Sequence, residues 1–225
     1  MNDTSLIDRM DADGLLSGGQ AVVFYGSGFV SATIEHLSPY LVDPGDVSID
    51  APSHIATILD RTIPVNGKPQ AEPFIIESTT DLVNESGAKV SGPQVNALKW
   101  RIAHYDVGAR VYILELRPEL RAMLNWPGVW STMLAKLGKD GYNKVELVEY
   151  VLRRIPVLDD LPWLFKPRPD KEVCSEYRAE GMRGGGWPGL VPALTTPAVF
   201  VSMAAWRSCT QVCGPPMAVK GYNTI

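Results

Sequence analysis

Two chain breakers enclose the stretch that most restricts how this chain can fold. Phe165-Lys166-Pro167-Arg168-Pro169-Asp170 is a Pro-broken loop, because each proline removes a backbone donor and pushes the residue before it out of the helical region. Gly184-Gly185-Gly186 stops any helix that reaches it. Between them, Ser175 to Met182 reads as helix, and Val173-Cys174-Ser175-Glu176-Tyr177 opens it. A cysteine in a first helical turn meets the positive end of the macrodipole and unpaired backbone N–H groups, both of which favour thiolate over thiol. That environment suits a nucleophile. A free cysteine is also often no more than a small buried apolar residue, so the rest of the chain has to supply its partners.

Composition narrows the class. The 225 residues are 45% hydrophobic and 20% charged, which predicts one globular domain over residues 1–225, with a lead-in over 1–14 and a tail over 214–225. A net charge of −4 with no basic block argues against nucleic acid as a partner. The polar start, Met1-Asn2-Asp3-Thr4-Ser5, lacks the pattern of a secretory signal, and no apolar run reaches the roughly 18–20 residues that span a bilayer. The expectation is a protein made in the cytosol. Three cysteines do not make a disulfide framework, and the lone Cys209-x3-Cys213 pair is a poor zinc site. No metal or organic cofactor is called for.

In order, the expected elements are a strand over Gln20–Tyr25, a short helix over Phe29–His36 and a strand over His54–Asp60. A turn around Asn66-Gly67 leads to a strand over Phe74–Ser78 that carries Glu77 after its apolar run. Asp81–Ser91 reads as loop and edge, and Gly92-Pro93 as the start of a helix through Tyr105, with His104 capping its C-terminal end. Ala109–Leu116 is the clearest strand and is expected at the sheet centre. Helices follow from Pro118 to Asn125, from Val129 to Leu137 after an interruption at Pro127-Gly128, and from Lys144 to Arg154. Pro197–Trp206 reads as helix and Cys209–Val212 as a short last strand. Trp126, Trp130, Trp163 and Trp187 cluster around the helix breaks and read as aromatics bridging helices.

A histidine that starts one strand, a glutamate on an antiparallel neighbour and a cysteine that opens a later helix are the three parts of thiol hydrolysis. The thiolate attacks a carbonyl, the imidazole accepts and returns a proton, and the third group sets the ring's tautomer and tilt. Here they are His54, Glu77 and Cys174. Their order is histidine, glutamate, cysteine, and in this the sequence resembles the circularly permuted branch of the NlpC/P60 papain-like hydrolases, the YaeF/YiiX-like amidases. Gly18-Gly19-Gln20-Ala21-Val22-Val23 is similar to that branch's opening G-D-hydrophobic strand, Ser53-His54-Ile55-Ala56 to its S-H-V-G strand, and Phe74-Ile75-Ile76-Glu77 to its glutamate strand. Gly141-Tyr142 stands where the family has G-x-x-Y-D, Cys174-Ser175-Glu176 resembles its C-S-E helix start, and Thr196-Pro197 resembles the S-P that follows. The resemblance covers about Leu15 to Val201. Gln20 in place of the aspartate and Ala56 in place of a glycine depart from the pattern without removing a reactive group.

The resemblance implies an α+β fold with an antiparallel sheet packed against helices in permuted order, with Cys174 as nucleophile, His54 as general base and acid, and Glu77 as the group orienting His54. It implies a peptide, amide or acyl substrate, with peptide bonds of cell-wall peptidoglycan first among them. Backbone N–H groups at the start of the Cys174 helix would serve as oxyanion donors, Glu176 reads as a helix-end carboxylate, and Tyr25 as a packing residue near the site. Two alternatives remain open at this point. One is a lipid acyl hydrolase or acyltransferase, and the other a virion-associated structural component, for instance of a phage tail, that keeps the fold and has other virion proteins as partners.

Overall fold

A computed structural model of the chain describes residues 2–26, 52–83, 87–139, 141–142, 171–172, 174–187, 189–190, 195, 197–202 and 205–214. The expected helices over 29–36 and 144–154 and the residues His36 and Trp163 lie outside the described residues. The architecture is mixed α and β. Its centre is a six-stranded sheet in the order β4-β3-β2-β1-β5-β8, with every neighbouring pair antiparallel. The strands are β1 (Ala21–Tyr25), β2 (His54–Ile58), β3 (Phe74–Val83), β4 (Lys89–Ala97), β5 (Arg110–Leu116) and β8 (Trp206–Cys213). A separate two-stranded parallel pair joins β6 (Gly141–Tyr142) to β7 (Lys171–Glu172). The helices are α1 (Ser5–Ala12), α2 (Leu98–Ala103), α3 (Pro118–Met123), α4 (Trp126–Leu134), α5 (Cys174–Gly184) and α6 (Pro197–Ser202).

Both faces of the sheet are covered, and β1 shows why. Strand side chains alternate between faces, and all five residues of Ala21-Val22-Val23-Phe24-Tyr25 are buried. Val22 and Phe24 pack with Ile7 and Met10 of α1 and with Leu98 and Ile102 of α2. Ala21, Val23 and Tyr25 pack on the opposite side with Ala179 and Met182 of α5 and Phe200 of α6. A strand wet on one face would alternate apolar and polar residues; covered on both, it reads as an unbroken apolar run. The lead-in is thus part of the core, since α1 buries Ile7 and Met10.

Local chemistry accounts for the main turn. Asn66 and Gly67 both have positive φ, 52° and 72°. Val65 and Lys68 exchange backbone hydrogen bonds of 2.9 and 3.0 Å around them, as a primed hairpin turn requires. The turn brings Phe74 to Ile76 back beside β2, with Thr57 opposite Ile76 and Ile58 opposite Ile75.

Several expectations are corrected. The segment after Gly92-Pro93 is not helix from its start: β4 continues to Ala97 and only Leu98–Ala103 is helical. Val95, Leu98 and Ile102 mimic a helical spacing, but Val95 is a strand residue. Pro93 is tolerated because β4 is the sheet edge, where a missing N–H breaks no inner ladder. Of the expected loop and edge over 81–91, the edge is strand β4 from Lys89 and the loop is shorter than expected, since β3 runs on to Val83; Glu77 therefore lies within β3 and not at its end. Pro127-Gly128 does not interrupt a helix. It forms the first turn of α4, whose N-cap Asn125 accepts a hydrogen bond from the Gly128 N–H through its side chain. Strand β5 is internal but lies next to the outermost strand β8, away from the sheet centre. Helix α6 stops at Ser202, and Trp206 begins β8 opposite Leu116. A helical pattern in one segment carries no information about the open edge of β5 that captures this residue.

Helices α4 and α5 approach closely because glycine leaves room. A Cβ placed on Gly181 would sit 2.5 Å from Met133 Cγ, and one on Gly184 would sit 2.0 Å from the Thr132 hydroxyl. The fully buried Arg178, on α5 between them and Cys174, donates to the Thr57 hydroxyl and to the carbonyl oxygen of Gly19 at 2.9 Å. Its guanidinium lies 5.0 Å from the Phe200 ring and 5.7 Å from the Trp206 ring. Burial lowers the Arg178 pKa to about 9. This side chain clamps the cysteine helix onto β2, the strand that carries His54. Overpacking the α4–α5 contact should loosen the clamp: Gly181→Ala is expected to lower unfolding free energy by about 1–3 kcal/mol, measured by urea denaturation.

Candidate active site

The site forms where the start of β2 meets the start of α5. Ser53 ties the end of β1 to the start of β2. Its N–H and its hydroxyl both donate to the Phe24 carbonyl, at 2.9 and 3.1 Å, and its hydroxyl accepts from the Gly26 N–H at 3.0 Å. The next residue is His54, whose ring lies 5.4 Å from that of Phe24. His54 Nε2 is 2.6 Å from Glu77 Oε2. The Cys174 side chain is the other group that acts on the ring, its charge and hydrogen bonding favouring the protonated form, and with Nε2 engaged by the carboxylate the nitrogen left for the sulfur is Nδ1. One imidazole thus links the carboxylate to the thiol, and the three residues singled out in the sequence come together.

Glu77 is held from other sides as well. Arg101 of α2 donates through Nε to Oε1 at 2.9 Å and to Oε2 at 3.1 Å, and Asn96 of β4 donates to Oε1 at 2.9 Å. Both were missed from the sequence. Asn96 was read as helical, although on a strand it is two residues from Gln94, the partner of Glu77 across the β3–β4 ladder. Arg101 falls on the expected helix through Tyr105 and carries no local signal that sets it apart. The signal that could have found it is general: a carboxylate expected inside a sheet needs a cation, and Arg101 is the arginine on the helix that directly follows β4.

The electrostatics follow from burial and pairing. Burial alone would drive Glu77 toward its neutral form, but the Arg101 charge, the His54 ring and the Asn96 amide outweigh it and bring the pKa down to about 2. For His54, burial opposes the charged ring, whereas the charge and hydrogen bond of Cys174, followed by those of Glu77, favour it and raise the pKa to about 9. The surroundings of His54 thus favour its protonated form.

Other candidates sort clearly. Tyr25 is buried, edge-on to the Tyr112 ring at 5.5 Å with the Arg110 guanidinium 5.2 Å away, a packing position. His104 is the C-cap of α2, its Nδ1 2.8 Å from the Trp100 carbonyl. Trp126 and Trp130 stack at 5.6 Å, and Trp187 packs against the core. Glu176 sits in the first turn of α5. Cys209 and Cys213 belong to opposite faces of the sheet, because β8 has an irregularity where Val111 and Tyr112 face Cys213 and Gln211. They cannot share a ligand, and burial pushes Cys209 up to about 12 and Cys213 upward as well. Among the described residues no group of three His, Cys, Asp or Glu side chains could hold a metal ion, and no helix is long and apolar enough to cross a membrane.

The lowered pKa of Glu77 makes a stability prediction. Its contribution is complete above the ordinary value of 4.5 and is lost as pH falls toward about 2. The urea midpoint is expected to drop across that interval. Glu77→Gln should be less stable near neutrality by about 3 kcal/mol, because Arg101 is left buried without its anion, and its midpoint should fall less steeply over the same acid range. No protein-family model matches the chain and no curated protein sequence matches it, so the chemistry of the site is read from its geometry.

Proposed function

We propose that this chain is a cysteine hydrolase of the circularly permuted papain-like kind, cleaving an amide or peptide bond through a thioester, with cell-wall peptide as the substrate class. The observation that carries this reading is that Cys174 and Glu77 both act on one imidazole, His54, with the carboxylate 2.6 Å from its Nε2. The antiparallel sheet with the cysteine helix packed across it accords with the same reading. In the first step the Cys174 sulfur, its proton passed to His54 Nδ1, attacks the substrate carbonyl. The first N–H groups of α5 have no intrahelical acceptor and would hold the developing oxyanion. His54 then protonates the leaving amine, and the C–N bond breaks to leave the acyl thioester. A water molecule that gives its proton to His54 attacks the thioester, and the acid product and the thiol are released. Glu77 keeps Nε2 protonated, so that Nδ1 is the nitrogen that exchanges protons.

A second reading is favoured by one specific observation: Cys174 is 3% and His54 6% exposed. Substrate reaches such a thiol only if what covers it moves aside. A structural component of a particle such as a phage tail could retain the same three residues as a buried polar network. Reactivity separates the two readings. At about pH 6 an ordinary thiol, with a pKa of about 8.5, is almost wholly protonated. On the hydrolase reading iodoacetamide should label Cys174 well ahead of Cys209 and Cys213, as read by peptide mass mapping. Uniformly slow labelling of the three would favour the structural reading. Against peptidoglycan fragments, Cys174→Ala should abolish amine release with little loss of stability, and Glu77→Gln should reduce the rate partially. Full activity in Cys174→Ala would remove the nucleophile assignment.

A further inference from the structure

We propose that Arg101 is a positioning residue of this site, acting through Glu77 to keep the carboxylate ionised and turned toward His54, so that the working unit is Cys174–His54–Glu77–Arg101. The inference rests on the hydrolase reading. It starts from an electrostatic difficulty. An orienting group inside a sheet is simplest as a neutral amide, because an isolated buried carboxylate either takes a proton or carries a large desolvation cost. Glu77 is 1% exposed and its side chain not at all. A protonated Glu77 could not accept from an imidazolium while keeping its charge complementarity, and an ionised one without a cation could draw the imidazole proton to itself. Arg101 resolves both conditions, since its guanidinium sets a positive charge against both carboxylate oxygens.

The contacts are those of an orienting device. Glu77 Oε2 meets His54 at 2.6 Å, Oε1 meets Asn96 at 2.9 Å, and Arg101 Nε reaches both oxygens. With contacts on both oxygens from three elements, the carboxylate has no freedom to rotate off the imidazole. The guanidinium is itself fixed, 4.7 Å from the Tyr105 ring and 5.3 Å from the Phe24 ring. Phe24 also packs against the His54 ring at 5.4 Å, so one aromatic side chain sets the positions of both cations that flank the carboxylate. The charged groups facing Glu77 are His54 from β2 and Arg101 from α2, with Cys174 of α5 beyond the imidazole. Strand β4 contributes only the uncharged Gln94 and Asn96.

Two readouts test this on the full-length protein. The first is the NMR pH titration of the His54 ring, assigned by loss of its signals in His54→Gln, whose acid inflection reports proton uptake by Glu77. The second is the rate of Cys174 alkylation by iodoacetamide at pH 5. Arg101→Gln is expected to move the acid inflection upward by about one pH unit or more and to slow Cys174 labelling about tenfold, whereas Arg101→Lys retains most of both. Introduced into Glu77→Gln, the same Arg101→Gln change should slow labelling no further, because its route through the carboxylate is already gone. The proposal is overturned if folded Arg101→Gln labels at the wild-type rate, whether or not the inflection moves, or if the slowing is equal in the Glu77→Gln background. Should Arg101→Gln not fold, loss of labelling in folded Arg101→Lys to the level of Glu77→Gln would equally overturn it, since charge alone would then not serve. Wild-type protein in which Cys174 is no faster than Cys209 and Cys213 would instead overturn the hydrolase reading, and this inference with it.

Discussion

A buried chain of charges at the start of β2 is the constraint around which the rest of the structure is arranged. Glu77 and Arg101 are almost wholly out of water, and His54 nearly so. Charges in such a place persist only when paired and hydrogen-bonded with good geometry. The ladder between β3 and β4 places Asn96 against the carboxylate, the immediate passage from β4 into α2 delivers Arg101, and the β1–β2 junction fixes the imidazole. Removing any one of these leaves another buried group without its partner. The network is therefore a condition on the fold as much as a product of it.

The thiol comes from the other side of the sheet. Helix α5 packs against the face formed by Val23, Tyr25 and Ile55, whereas Phe24, Ala56 and the helix bearing Arg101 belong to the opposite face. His54 can contact both because it is the first residue of β2, where the ring reaches the carboxylate on one side and the end of α5 on the other. Arg178 secures the second half of this arrangement. It hydrogen-bonds β2 at Thr57 from a position one helical turn after Cys174, so the separation of sulfur and imidazole is set by a rigid contact between two regular elements and not by a loop. Sites supported in this way hold their geometry with little cost at the moment of reaction.

Legibility from sequence followed the range of the interactions. Strands β1, β2 and β5 were evident because their β-branched and aromatic runs express a local preference, and the Asn66-Gly67 turn because only those residue types occupy its positive φ angles at low cost. The error over residues 92–97 arose where the local signal was double-valued: Val95, Leu98 and Ile102 fit a helix, and Pro93 fits a helix start. The inner strand β3, which pairs with this segment, decided otherwise. Trp206 was misplaced for the same reason, since the open edge of β5 offered it ladder hydrogen bonds that no local pattern encodes. Asn96 and Arg101 stayed hidden because their significance lies wholly in a distant carboxylate.

The amino-acid sequence by itself determined the inventory and much of the local structure: a cysteine placed to open a helix, a histidine placed to open a strand, a glutamate amid apolar neighbours, and the breakers that keep these elements short. These are properties of residues and of their near neighbours along the chain, governed by steric preference and backbone capping. Tertiary structure alone decided that the sulfur, the imidazole and the carboxylate meet, that an arginine and an asparagine join them, and that Cys209 and Cys213 are kept on separate faces. Each of those outcomes depends on strand pairing and helix packing between residues far apart in sequence, where burial converts modest polar contacts into requirements.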